Sequence, residues 1–270
     1  MNTTAIAMTI AGSDSGGGAG IQADLRTFAF HCVHGTSVIT CITAQNTVGV
    51  QRVDAVPLEG ITAQIEAIVT DLPVSAVKTG MLLNGEIIHL VAKKLTALGW
   101  ANIVIDPVMV ARTGAQLLDD SAVHLIKTQL LPIACVVTPN RYEAQILAQM
   151  SIHTIEDMQT AAQKIYALGA HSVLVKGGGM PEPLRGTDVW FDGKEHHLLQ
   201  TETIDTKHTH GTGCTLSAAI TANLAQGKPL REAIYSAKAY VTNALKHSLA
   251  IGQGHGPVGH FYPLLAKVGA

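Results

Sequence analysis

Charge is scarce in this sequence. Only 14% of its 270 residues are charged, against 47% hydrophobic, a balance that points to a large buried interior such as a parallel sheet covered on both faces. Lysines and arginines form no cluster and the formal net charge is −2, so nucleic acid and membrane surfaces are poor partners. No apolar run approaches the roughly 18 residues that span a bilayer. The N-terminus has neither a basic flank nor a cleavable apolar core, so no signal peptide is expected. The four cysteines, Cys32, Cys41, Cys135 and Cys214, make no CxxC pair, which suits reduced thiols and a cytoplasmic protein. An ordinary P-loop is excluded, because no Gly-x-x-x-x-Gly-Lys-Ser/Thr occurs. Internal repeats, low-complexity tracts and linkers are missing too. One domain over 1–270 is the simplest expectation, with 36–56 standing partly outside it as a small flap.

What is present is an alternation of strand-like and helix-like segments. The apolar run 5–11 reads as a buried first strand, followed by a glycine loop at 12–20 and a helix with Ile21, Leu25 and Phe28 at helical spacing. Further strands are expected at 35–46, 49–56, 74–79, 102–105, 135–138 and 171–176, with a hairpin of 187–191 and 196–201 around Asp192-Gly193. Helices are expected at 58–71, 86–98 (closed by Gly99), 119–130, a stretch capped by Thr154 and Asp157, 230–247 and 262–268. Such an order means a three-layer α/β/α sandwich with a mostly parallel central sheet. In open sheets of this kind ligands bind at the C-terminal strand ends. Gln45, Met81, Asp106, Asn140 and Lys176 all fall at or just past such ends.

The run 208–227, HTHGTGCTLSAAITANLAQG, organises the rest. Gly211 and Gly213 make a tight turn that opens directly into a helix with apolar positions at Leu216, Ala219, Ile220 and Leu224. The first N–H groups of that helix lack intrahelical partners, and its tip carries about half a positive charge, so it is a ready anion site. Cys214 sits at its mouth. The 12–20 loop is a poor dinucleotide fingerprint, since its glycine spacing is off and the second strand ends in Gln45-Asn46 rather than an acid. His208 and His210 complete no zinc set and read as surface histidines. A Cys214–His210 nucleophile pair has no third residue to orient it. Asp24 alone reads as a solvated helix residue. Lys176, by contrast, ends an apolar strand and needs solvent or a partner for its charge. Arg112 is an ordinary loop charge without an assigned role.

Taken together, AGSDSGGGAGIQADL (11–25), TAQNT (43–47), VKTGML (77–82), DPVMVARTGAQLL (106–118), TPNRYEA (138–144), VLVKGG (173–178) and HTHGTGCTLSAAI (208–220) resemble the hydroxymethylpyrimidine/phosphomethylpyrimidine kinases of thiamine biosynthesis, members of the ribokinase-like superfamily. The resemblance covers nearly the whole chain. It implies transfer of phosphoryl groups from ATP, with Mg²⁺, to 4-amino-5-hydroxymethyl-2-methylpyrimidine and then to its monophosphate, by a homodimer. It implies that Gln45 and Asp24 bind the pyrimidine, with Met81 and Val108 against the ring. Asn140 and Glu143 match an NxxE pattern that organises Mg²⁺ and phosphate, and Asp106 joins Glu143 at the metal. Lys176 and Thr212 hold ATP phosphate oxygens. Gly211, Thr212 and Gly213 form the anion hole, and Cys214 stands where sugar and pyridoxal kinases carry a catalytic Asp. One departure is Gly179, where the family often has His after the paired glycines. A pyridoxal kinase of the same fold is the nearest rival. A non-catalytic pyrimidine-binding or nucleotide-binding sensor is a remoter one, disfavoured by the set Asp106, Glu143, Lys176 and Cys214.

Overall fold

The computed structural model describes residues 4–109 and 118–268, with side chains described as far as 265 in the last helix. Arg112 and most of the run 106–118 lie outside the described residues. Strand β1 (Ile6–Asp14) leads through the glycine loop into α1 (Gly20–Phe30), β2 (His34–Gln45) and β3 (Val50–Ala55). Then come α2 (Leu58–Val69), β4 (Ala76–Thr79), α3 (Gly85–Leu98), β5 (Ile103–Ile105) and α4 (Asp120–Leu125). The middle of the chain continues with β6 (Val136–Val137), α5 (Arg141–Ala148), α6 (Ile155–Tyr166), β7 (Val173–Val175), β8 (Asp188–Phe191) and β9 (His196–Leu199). Helices α7 (Thr212–Ala225), α8 (Leu230–Lys246) and α9 (Tyr262–Val268) close it.

The chain forms two compact units, one of Met1–Gly80 with Ile204–Ala270 and one of Met81–Thr203. In the first, β1 pairs in parallel with β2 on one side and β4 on the other, and β3 runs antiparallel along the outer edge of β2. β1 is buried along most of its length, as a central parallel strand has to be. β3 is exposed throughout. The β1–β2 register slips between Ala11 and Ser13, and this bulge bends the strand end into the glycine loop. In the second unit β5, β6 and β7 run parallel, and β8 and β9 follow as antiparallel neighbours, the expected hairpin included.

Local chemistry explains several of the helix ends. Asn84 caps α3 by accepting from Ile87 N, and Gly99 closes it in the left-handed region at φ 65°. Thr154 and Asp157 form the expected capping box on α6. The helix expected over 119–130 begins at Asp120 with Asp119 as its cap, but beyond Leu125 it widens into a π turn and a 3-10 turn around Pro132, whose missing N–H ends the regular ladder. α5 is an addition to the expected elements. Its box, Asn140 with Glu143, is as regular as that of α6.

α7 is the hub of the first unit. It is buried on every side from Thr215 to Ala225 and packs on α1, α8, β1 and β4. Burying its polar residues is tolerable because each bonds back along the helix. Thr215 donates to the Gly211 carbonyl, Ser217 to Gly213, Thr221 to Ser217 and Asn223 to Ala219. Among the described residues no helix is long and apolar enough to cross a membrane.

Candidate active site

Residues able to do chemistry gather at strand ends and helix tips, in one cluster per unit. In the first unit the cluster joins the two glycine turns. Asp14, at the end of β1, is almost fully buried, and its carboxylate accepts from the N–H groups of Gly16 (2.9 Å), Gly18 (3.0 Å) and Ala19 (2.8 Å). His210 Nε2 approaches the same carboxylate at 2.8 Å. Burial works to raise the Asp14 carboxyl, but the bonds from His210, Ala19 and Gly16 outweigh it and hold the group below the usual carboxylate range. The 12–20 loop is thus wrapped around an anion of the protein's own.

Gln45 ends β2 and is tied to the same loop, its N–H donating to Ser15 Oγ (2.8 Å) while Ser15 donates to its carbonyl (2.7 Å). The Gln45 side-chain amide lies 3.4 Å from His210 Nε2. Because His210 spends its Nε2 proton on Asp14, this contact is weak and the amide stays available to a ligand. Gly211 precedes α7 with φ 80°, and α7 has no side-chain cap. Thr212 turns its hydroxyl back onto the Thr209 carbonyl at 2.7 Å, and Cys214 is half-buried in the first turn.

Asp24 differs from both expectations for it. It is neither solvated nor open to a ligand but completely buried, its Oδ2 accepting from Thr9 Oγ1 at 2.6 Å and Lys78 Nζ at 2.8 Å. Lys78 is equally buried. His210 is likewise no surface residue, since only 19% of its side chain is accessible. Asp14 and Lys78 were not singled out from the sequence, and His210 was weighed there only as a zinc ligand or a partner of Cys214. A lysine directly after Ala76 and Val77 in a strand-like stretch is the signal that would have exposed the Lys78–Asp24 pair.

In the second unit Asp106, Asn140 and Lys176 stand just past the ends of β5, β6 and β7. Lys176 Nζ bonds Asp106 Oδ1 at 2.8 Å, and Thr138 Oγ1 donates to the same oxygen at 3.2 Å. Asn140 and Lys176 meet in a parallel bridge, so β6 and β7 bring their ends together. Glu143 accepts from Asn140 N at 2.7 Å through the capping box. Burial raises the Glu143 carboxyl to about 7, with Lys176 pulling it down and the like charge of Asp106 pushing it up. Val108 and Met81 are both half-buried, Val108 donating its N–H to the Asp106 carbonyl. Past Lys176, Gly177 N donates to the buried Asp188, and Gly179 offers its carbonyl to Arg141.

Two carboxylates that disfavour each other's charge suit a divalent cation. Mg²⁺ in phosphate sites is commonly held by one or two carboxylates, the rest of its shell being water and phosphate oxygens. No group of three or more His, Cys, Asp or Glu side chains able to hold a metal occurs among the described residues. Asp106 and Glu143 are the residues that would hold it. The raised Glu143 carboxyl gives a test. Between pH 4.5 and 7 the folded chain keeps a proton that the unfolded chain releases, so this group's contribution to stability falls as pH rises through that window. In EDTA, Glu143→Gln should flatten the decline of unfolding free energy with pH across that window, and Mg²⁺ should offset the decline in wild type only. An unchanged slope in the variant would contradict the assignment.

Strand-end carboxylates and an uncapped, glycine-turned helix on a largely parallel α/β framework are the equipment of ribokinase-like phosphotransferases. The family model described as phosphomethylpyrimidine kinase matches residues 14–259, and the chain belongs to that family. It is 60% identical over 259 residues to the hydroxymethylpyrimidine/phosphomethylpyrimidine kinase of Synechococcus elongatus, covering 96% of this chain and 98% of the relative. Among solved structures, an ADP complex of Bacillus subtilis pyridoxal kinase superposes with a TM-score of 0.90 at 43% identity, covering 96% of this chain and 98% of that one. A phosphomethylpyrimidine kinase from Clostridium difficile superposes with a TM-score of 0.80 at 40% identity, covering 89% of this chain and 99% of that one.

Proposed function

We propose that this chain uses ATP and Mg²⁺ to phosphorylate 4-amino-5-hydroxymethyl-2-methylpyrimidine, and then the monophosphate to the diphosphate. The observation that carries the reading is the uncapped tip of α7 with a half-buried thiol in its first turn, in a member of this family. Gln45 reads the pyrimidine edge, and Met81 and Val108 pack on the ring. Lys176, Asn140 and Thr212 hold phosphate oxygens. Asp106 and Glu143 would hold Mg²⁺, which when bound would supply neutralisation of phosphate charge. Gly211, Thr212 and Gly213 present N–H groups to the migrating phosphoryl group, where a helix tip stabilises developing negative charge. The reading includes the homodimer that the family resemblance implies. Ile42, Val48, Val50 and Val53, exposed on β2, β3 and the turn joining them, are side chains such a contact would cover.

The thiol explains how one site serves two acceptors. In the first step the alcohol oxygen attacks the γ-phosphorus, ADP leaves, and the hydroxyl proton needs an acceptor. A free thiol has a pKa of about 8.5, which a helix N-terminus lowers, so Cys214 is a moderate base there. In the second step the acceptor is a phosphate monoester, already ionised because its second pKa is about 6. It needs no base. A carboxylate at position 214 would repel it by about 4 kcal/mol per pair of unit charges at 4 Å and an effective dielectric near 20. A thiol can stay neutral and avoids that cost. Cys214→Asp should therefore weaken the second phosphorylation more than the first, and equal losses in kcat/KM for both acceptors would remove the argument.

The reading is tested by incubating the protein with ATP, Mg²⁺ and the hydroxymethylpyrimidine and resolving products by charge. The monophosphate should appear first and the diphosphate after it. Pyridoxal belongs in a parallel reaction, given the likeness to a pyridoxal kinase structure. Phosphorylation of pyridoxal without formation of the pyrimidine diphosphate would favour the rival kinase, and binding without ADP release would favour a sensor.

A further inference from the structure

The glycine-rich run 252–259 has no part in the reading above, yet it touches three parts of the first cluster in turn. At its start, Gly254 N donates to Thr47 Oγ1 at 3.2 Å and His255 N to the Thr47 carbonyl at 3.0 Å. The approach is close enough that a Cβ on Gly254 would stand 2.0 Å from the Thr47 carbonyl oxygen. In the middle, Gly256 N donates to His208 Nδ1 at 3.0 Å. The Gly256 carbonyl accepts from His210 N at 3.1 Å and Val258 N donates to the His210 carbonyl at 3.2 Å, which makes Pro257 a one-residue parallel partner of His210.

Just past its end, His260 Nε2 lies 2.9 Å from Thr215 Oγ1. Thr215 gives its one hydroxyl proton to the Gly211 carbonyl at 2.8 Å, so His260 has to be the donor. The result is a chain of donors, His260 to Thr215 to Gly211, that ends on the turn opening α7. Tyr240 fixes the other side of His260 by donating to its carbonyl at 2.7 Å.

We propose that residues 254–260 are a positioning strap that holds the Gln45–Thr47 turn and the 208–213 turn in one register, with Thr47 and His260 as its anchoring residues. Thr47 acts through Gln45 on the acceptor and His260 acts through Thr215 on the turn that faces phosphate, a division that rests on the functional reading above.

Thr47→Val keeps the shape of the side chain and removes its hydroxyl. It should raise KM for the hydroxymethylpyrimidine about tenfold and leave KM for ATP within about twofold, and Thr47→Ser should restore the wild-type value. His260→Phe should lower kcat about tenfold with little change in acceptor KM, and His260→Gln, which keeps an N–H donor, should recover part of it. Hydrogen exchange reports the strap without any turnover. Thr47→Val should speed exchange at 208–214, beyond the strap, as well as at 44–49. With an active wild type, an acceptor KM within twofold in Thr47→Val, or faster exchange confined to 47 and 252–256, overturns the proposal. If the wild type does not phosphorylate the pyrimidine at all, the functional reading fails, and exchange at 208–214 in Thr47→Val alone decides the strap, an unchanged rate overturning it.

Discussion

Replacing Gly211 with alanine is expected to cost about 2–4 kcal/mol of stability and to lower phosphoryl transfer at least about a hundredfold. Two independent reasons combine at this position. Its φ of 80° lies in the left-handed region, and a Cβ there would stand 1.8 Å from the Gly18 carbonyl oxygen and 2.9 Å from its carbon. Both obstructing atoms are backbone, so no side chain can swing away. Relief requires the two glycine turns to part, which would carry the tip of α7, and His210 with it, away from the loop wrapped around Asp14. Gly227 is the control. It has nearly the same φ, 79°, but nothing within 4 Å of its Cβ position, so Gly227→Ala bears the backbone strain alone, about 1 kcal/mol. Denaturant unfolding and kcat of the pair separate conformation from contact. If both variants lose the same stability and activity, close approach of the two turns is not what Gly211 is for.

Lys176→Met should lower kcat about a hundredfold to a thousandfold, since under the proposed function it removes a fixed positive charge from the phosphate. The structural cost is also large. Lys176 and Asp106 are both mostly buried, and removing one partner of a buried pair typically costs about 3–5 kcal/mol. Part of that is recovered by proton uptake. Lys176 is the charge that pulls the Glu143 carboxyl down, so without it Glu143 titrates higher still. In metal-free buffer the variant's loss of stability should therefore grow with rising pH and shrink as the pH falls. Lys176→Arg, which keeps the charge but not the shape, should retain an intermediate activity. A Lys176→Met enzyme within tenfold of wild type, with an unaltered pH slope, would remove Lys176 from the mechanism.

The sequence carried the framework because its signals are local. The runs 5–11, 102–105 and 171–176 are short and apolar, Thr154–Asp157 spells out a cap, and Gly99 marks a helix end; the corresponding β1, β5, β7, α6 and α3 are all found. The site was legible where residues fall at strand ends, as Asp106, Asn140 and Lys176 do. What escaped depends on pairing at long range. Asp14 and His210 are 196 residues apart, and Asp24 and Lys78 are 54 apart. Nothing near Asp24 announces that a lysine from β4 buries itself against it. The glycines of 12–20 and 208–213 suggested room for a ligand. Gly211 is in fact also required by the Gly18 carbonyl, and Gly18 by the His210 ring, which a Cβ there would meet at 2.3 Å. α5 escaped for a different reason: Asn140 and Glu143 were read for their chemistry, and the capping box they form uses the same three-residue spacing.

The claim on which the account turns is that a single acceptor site takes a neutral alcohol and a charged monophosphate in succession. It is tested most directly by adding the monophosphate as an inhibitor of alcohol phosphorylation at fixed, saturating ATP and Mg²⁺. The account predicts competitive inhibition, with an inhibition constant equal to the KM of the monophosphate as substrate. Inhibition that leaves the KM for the alcohol unchanged, or none at concentrations that support diphosphate formation, would contradict it.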